Sequence, residues 1–253
     1  MKSAYHFDLA ILMLYLFWIA FAALLFYIRR EDRREGYPLF NENSNSYKTG
    51  DFLFIPPPKT FSLPHGGSVV APNGKVDDRD HRLDRTSPWS GSPYEPAGDP
   101  MLAGVGPGSY AERANTPDMT IEGHAKIVPM RVATTFSIAS GDPDPRGMTV
   151  VGADGRAAGA VRDVWVDRSE TLIRYLEVEL AGGAKSVLLP MTFASIDKRQ
   201  GNVKVNAILS GQFAQVPALA GANQVTLLEE DKICAYYGAG TLYAEPKRKE
   251  PLL

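Results

Sequence analysis

The hydrophobic pattern opens on LAILMLYLFWIAFAALLFYI, an unbroken apolar run from Leu9 to Ile28. At about 1.5 Å per residue it predicts a helix of about 30 Å, the thickness of a bilayer's hydrocarbon core. No polar stripe marks one face, as it would on a surface helix. Tyr15 and Trp18 fall mid-run, where they should face protein, and Tyr27 falls where an interfacial aromatic belongs. A cleaved signal peptide fits less well, because its apolar core is about 7–15 residues and follows basic charge. Here Lys2 alone precedes the run, and Arg29, Arg30, Arg33 and Arg34 follow it.

Basic residues stay on the cytoplasmic side of a membrane, and interleaved acids barely alter that choice. The four arginines therefore predict an outside N-terminus and a cytoplasmic remainder. If the helix continues past Ile28, Arg29 meets Asp32 and Glu31 meets Arg34 at i,i+3, which offsets the repulsion. Gly36 and Pro38 then turn the chain.

Residues 37–118 hold 12 of the 19 prolines and little helical periodicity. Such composition usually means a free linker, yet Phe52, Phe54, Phe61, Trp89, Tyr94 and Tyr110 would not stay in water there. The stretch reads as extended, ordered chain on another surface, with a short hairpin at FSLPHGGSVVAP. From Ile127 the texture changes to short β-rich runs at roughly ten-residue spacing, including GRAAGAVRDVWVD, TLIRYLEVEL, KSVLLPMTF and NVKVNAIL. That spacing predicts an antiparallel sheet or small barrel, with hairpin turns at ADGRAAG and LAGGAKS. A helix should open at Thr226, where Glu229 completes a capping box. The expected architecture is one transmembrane helix plus a mainly β cytoplasmic domain, with a C-terminal helix and a long extended segment. Its boundaries fall at 1–8 for the N-terminus, 9–35 for the helix, 36–118 for the extended segment and 119–253 for the domain.

Composition narrows the function. A net charge of −2 with 22% charged residues gives no footprint for nucleic acid. The single Cys234 excludes an internal disulfide or a multi-cysteine metal site, and beside Ile233 on a helix it reads as a core residue. No P-loop, dinucleotide fingerprint, zinc-protease motif or serine elbow occurs, and GVGPGS at 104–109 reads as a plain turn. His6 and His65 have no evident partners in sequence, and His81 adds none. EGHAK, Glu122 to Lys126, fits either an exposed loop or a proton-exchanging carboxylate and imidazole. WVDRSETLIR places Asp167 and Glu170 at a strand end before Arg174. These acids are either turn carboxylates or a coupled pair; if close and partly buried they repel, and one holds its proton to higher pH.

The blocks RREDRREGYPL, PKTFSLPHGG, GVGPGSYAER, KIVPMRVA, VWVDRSE, RYLEVEL and LLEEDKICAYYGAGTLYA run in order over nearly the whole chain. In that order the sequence resembles the H subunit of the purple-bacterial photosynthetic reaction centre. The resemblance implies one helix beside the L and M subunits, an extended segment over their cytoplasmic surface, and a PRC-type antiparallel β-barrel. It implies a non-catalytic subunit of the bacterial inner (intracytoplasmic) membrane, single-pass, with a periplasmic N-terminus and light-harvesting antenna nearby. Bacteriochlorophyll, bacteriopheophytin, quinones, a carotenoid and a non-haem iron would sit on L and M, with no cofactor or metal on this chain. The subunit would stabilise L and M, shield the quinone region and assist proton transfer to the secondary quinone. Asp167 and Glu170 match acids near that quinone, Arg174 a neighbouring base, and Lys126 a base near the proton entrance. His124 matches the second of two surface histidines; Glu122 replaces the first and Thr120 a preceding acid, which puts a two-histidine metal site in doubt. Arg29, Arg30, Arg33 and Arg34 would set topology and meet anionic membrane lipids. The rival reading is a membrane-tethered PRC-barrel adaptor that docks another cytoplasmic protein; it needs only a flexible tether over 37–118.

Overall fold

The computed structural model describes residues 8–41, 44, 46–48, 54–75, 79, 82–89, 91–183 and 185–248. Lys2, His6, Phe52 and His81, and nearly all of the expected N-terminal segment, lie outside the described residues. The chain forms two units, residues 1–79 and 80–253.

In the first unit, helix α1 (Leu9–Glu31) covers the apolar run and continues through the first arginines. Asp8 caps it, its carboxylate accepting from the amides of Ala10 and Ile11 at 2.9 and 3.3 Å. The helix is long and apolar enough to cross a membrane, and none of its described residues is buried. Asp32–Arg34 add a 3-10 turn. Both expected i,i+3 pairs form: Arg29 to Asp32 at 3.6 Å and Arg34 to Glu31 at 2.7 Å. Arg34 does more, because its Nη1 donates to the carbonyls of Pro57 and Ala71 at 2.8 and 3.0 Å. Those carbonyls flank the expected hairpin, formed by β3 (Lys59–Ser62) and β4 (Ser68–Ala71). A smaller hairpin pairs β1 (Leu39–Asn41) with β2 (Ser46–Lys48).

The second unit begins with the hairpin of β5 (Leu83–Arg85) and β6 (Tyr94–Pro96). Its core is a seven-stranded sheet. The strands are β7 (Ile127–Pro129), β8 (Thr149–Val151), β9 (Ala157–Asp167), β10 (Leu172–Leu180), β11 (Ser186–Pro190), β12 (Ser195–Asp197) and β13 (Asn202–Lys204). The order is β11-β10-β9-β8-β13-β12, and β7 pairs with the far end of β9. Among the described residues the outer strands β11 and β12 do not pair with each other, so the barrel is not closed. Nor is the sheet wholly antiparallel as the sequence suggested: β8 and β13 run parallel, joined by the long excursion through β9 to β12. Trp165, Leu176, Leu188, Leu189 and Val203 are fully buried in its core.

Helix α2 (Leu227–Tyr243) opens at Thr226 with the expected capping box to Glu229. It lays Ile233, Tyr236, Tyr237 and Gly240 on the core at i, i+3, i+4 and i+7. Its glycines have a packing reason. A Cβ at Gly238 would strike the carbonyl of Pro107, and one at Gly240 the carbonyl of Ala207. GVGPGS thus forms a 3-10 turn, Gly106–Gly108, lying against this helix. Cys234 falls on the other side and is exposed, contrary to its expected place in the core. Its neighbour Ile233 takes the inward position, and one residue turns a helix by about 100°. Crowding around the sulfur still pushes the thiol's pKa up, first through desolvation.

Gly159, on β9, is equally constrained: a Cβ there would overlap the backbone carbonyl of Glu179 on β10. Gly159→Ala should cost about 2 kcal/mol, because backbone cannot yield as a flexible side chain can. Denaturant unfolding of the full chain in detergent, followed by Trp165 fluorescence, checks this.

Candidate functional site

Strand β9 ends at Asp167, and four residues return the chain into β10. Asp167 builds that turn: its Oδ1 accepts from the amides of Ser169 and Glu170 at 2.9 and 3.0 Å. Thr171 closes it at φ +53°, a left-handed conformation costly for a β-branched residue. Asp167 is fully buried, while the Glu170 side chain is half exposed.

Two cations reach both acids. Lys126 Nζ lies 3.6 Å from Asp167 and 3.5 Å from Glu170. Arg174 lies 3.4 Å from Asp167 and 3.8 Å from Glu170. The sequence left open turn carboxylates or a repelling pair; Asp167 builds the turn, and both bases lie within 4 Å of both acids. Asp118 joins as a third acid, 3.7 Å from Lys126, leaving the cluster one net negative charge. Despite both cations, Asp167 Oδ2 is buried with no hydrogen-bond partner.

Lys126 arrives from the base of a short turn. Asp118 and Lys126 are joined there by an amide-to-carbonyl bond of 2.8 Å, and Met119 bridges Ala125. Gly123 at φ +81° lets the tip reverse. Glu122 and His124 occupy that tip, both exposed. A hydrogen bond from the Thr120 side chain, more than the nearby His124, holds the Glu122 carboxyl below the usual range. The site residues 122, 124, 126, 167, 170 and 174 therefore form one neighbourhood on two adjoining turns. Arg29, Arg30, Arg33 and Arg34 belong to the other unit, where Arg33 stacks over Tyr37 at 5.0 Å. The buried Nε of Arg30 has no hydrogen-bond partner.

A second ionic cluster was not apparent from sequence. Arg131, just beyond β7, donates to Asp163 at 3.0 Å and to Glu177 at 2.6 Å, and Trp165 Nε1 donates to Glu177 at 3.0 Å. Lys126–Asp167 and Arg131–Asp163 thus pin the two ends of β7 to β9. Asp163 and Glu177 face each other in register across β9 and β10. Also missed was Tyr175, whose hydroxyl donates to Glu230 at 2.9 Å; burial raises the Glu230 carboxyl above its ordinary range.

Comparison with protein families matches residues 2–132 to the photosynthetic reaction centre H-chain N-terminal region, and residues 139–211 to the PRC-barrel domain. The first match covers just over half of the chain. This protein belongs to the photosynthetic reaction centre H-chain family. It is accordingly a structural subunit associated with other subunits of a reaction centre, and the second match names its β domain. Among the described residues of this H chain, no group of three or more His, Cys, Asp or Glu is placed to hold a metal ion.

Burial alone would lower the Lys126 pKa, but Asp167, Glu170 and Asp118 outweigh it and raise the value above the ordinary range. A raised folded-state pKa gives stability that is complete below the unfolded value, near 10.4, and lost as pH rises through the folded one. Lys126→Met should therefore cost about 1–2 kcal/mol at neutral pH, and the gap to the parent protein should begin to narrow only above about pH 10.5. Urea midpoints measured across pH 6 to about 11 test this.

Proposed function

We propose that this H chain caps the cytoplasmic side of the L and M subunits, shields the quinone region and helps deliver protons to the secondary quinone. One observation carries the reading: Asp167, a fully buried carboxylate whose Oδ2 is paired with Lys126 and Arg174 but accepts no hydrogen bond, adjoins an exposed turn bearing Glu122 and His124. A doubly reduced quinone in a low-dielectric site must take up two protons to leave as quinol, since burying that charge is very costly. Those protons must cross whatever covers the site, by groups within reach of one another or of water. His124 and Glu122 can take protons from solvent. Asp167 and Glu170 can pass them inward, while Lys126 and Arg174 hold the carboxylates in place.

The remaining elements support the same arrangement. Segment 36–118 is assigned to the L and M surface, because Phe54 and Trp89 are 73% and 66% exposed on chain without a core of its own. Residues 9–35 form the anchor, with the N-terminus periplasmic by the arginine rule, and residues 119–253 the cytoplasmic domain. Arg29, its side chain 72% exposed, is available to anionic lipid. Pigments, quinones and iron are assigned to L and M, none to this chain, in an intracytoplasmic membrane beside the antenna.

In the assembled complex, Glu170→Gln should slow the second, proton-coupled electron transfer to the secondary quinone by about tenfold. Primary charge separation should be unchanged, and small weak acids should partly restore the rate. Flash kinetics of Glu170→Gln and Asp167→Asn, singly and together, that match the parent protein from pH 6 to 9 would exclude this route. Orientation has its own test. Protease added to inside-out membrane vesicles should digest the domain after residue 119, and protection there would reverse the topology.

A further inference from the structure

A groove beside the sheet, apart from the Asp167 cluster's polar groups, has two chemically different ends. One end is an apolar cleft of about 520 Å³, within the range of small-ligand sites, walled by Phe136, Ile138, Val166, Ile173, Met191 and Ile196. The other end is lined by Arg131, Arg146 and Arg162 with Thr134 and Ser137. Met130, Phe136 and Ser137 line both, so the two ends adjoin.

The arginines differ in what they still have to give. Arg131 is committed to Asp163, Glu177 and the carbonyl of Ala222. Arg146 spends Nε and Nη2 on Asp144 and keeps Nη1. Arg162 comes no closer than 3.6 Å to Glu177, beyond hydrogen-bond reach, and its side chain is 56% exposed. The backbone also forces the last two together. The Gly147 amide donates to the Val161 carbonyl at 2.8 Å just before β8 begins, so Arg146 and Arg162 flank that hydrogen bond. Like charges set opposite each other on a sheet repel. Asp144, Asp163 and Glu177 offset the charge, but Arg162 makes no close ion pair with them and turns its N–H groups to solvent. An oxyanion held between the two guanidinium groups would give them an acceptor, in the planar geometry that arginine matches best. Asp142, at the apolar end, would repel the same head and so fixes its direction.

We propose that this groove binds a small amphipathic carboxylate, its tail in the Phe136–Ile196 cleft and its head on Arg162 and Arg146. The site is independent of the proton route, and its test does not require the L and M subunits. The full chain is placed in neutral-lipid nanodiscs with carbon-13 methionine methyls, and octanoate is titrated. Met130 and Met191 line the cleft and report tail entry; octanol, with the same tail and no charge, separates charge recognition from apolar partitioning. Octanoate should shift both methyls saturably, octanol should bind at least about tenfold more weakly, and Arg146→Gln with Arg162→Gln should erase that preference. Unmoved Met130 and Met191 methyls, or equal affinity for octanol and octanoate in the parent chain, would overturn the proposal. So would an assembled complex in which a partner polypeptide already covers both methyls and octanoate does not bind, for the groove would then be a protein interface.

Discussion

Two ion pairs, Lys126 to Asp167 and Arg131 to Asp163, clamp the short strand β7 along the far half of β9. Three residues of strand pairing alone would hold β7 weakly. The clamps carry the turn of Glu122 and His124 on one side and the loop beginning at Arg131 on the other. Both the Asp167 cluster and the groove beside Arg131 therefore depend on charges set four residues apart on one strand.

The clamps are not equivalent. Asp163 is closed off: its Oδ1 accepts from the Val164 amide, and its Oδ2 from the Arg131 amide and guanidinium. Asp167 has saturated only one oxygen, on its own turn. Its Oδ2 accepts no hydrogen bond and is held by the charges of Lys126 and Arg174 at 3.6 and 3.4 Å. The two carboxylates on β9 therefore differ in how fully hydrogen bonds satisfy them.

Much of the fold was legible because it is local. The apolar length of α1, the Thr226–Glu229 box of α2 and the hairpins at ADGRAAG and FSLPHGGSVVAP are each written within a dozen residues. The parallel β8–β13 pairing was not, since nothing short-range distinguishes it from another hairpin. At the site, Asp167, Glu170 and Arg174 lie within eight residues and could be read together, with Lys126 supplied by family resemblance. Asp118 and the Arg131–Asp163–Glu177 cluster needed the register of β7, β9 and β10 to bring distant positions into contact. Cys234 failed for a simpler reason: adjacency to Ile233 was taken for a shared face.

Arg34 ends the membrane helix and grips the β3–β4 hairpin in the same guanidinium, with Glu31 holding its fork. The helix is thereby deprived of a freedom that single-span anchors usually keep. A lone span answers a thicker or thinner bilayer by tilting or sliding. Here any change of depth must carry the hairpin along or break several charge-assisted bonds. For a helix that spans a bilayer, membrane thickness becomes a mechanical load on that hairpin.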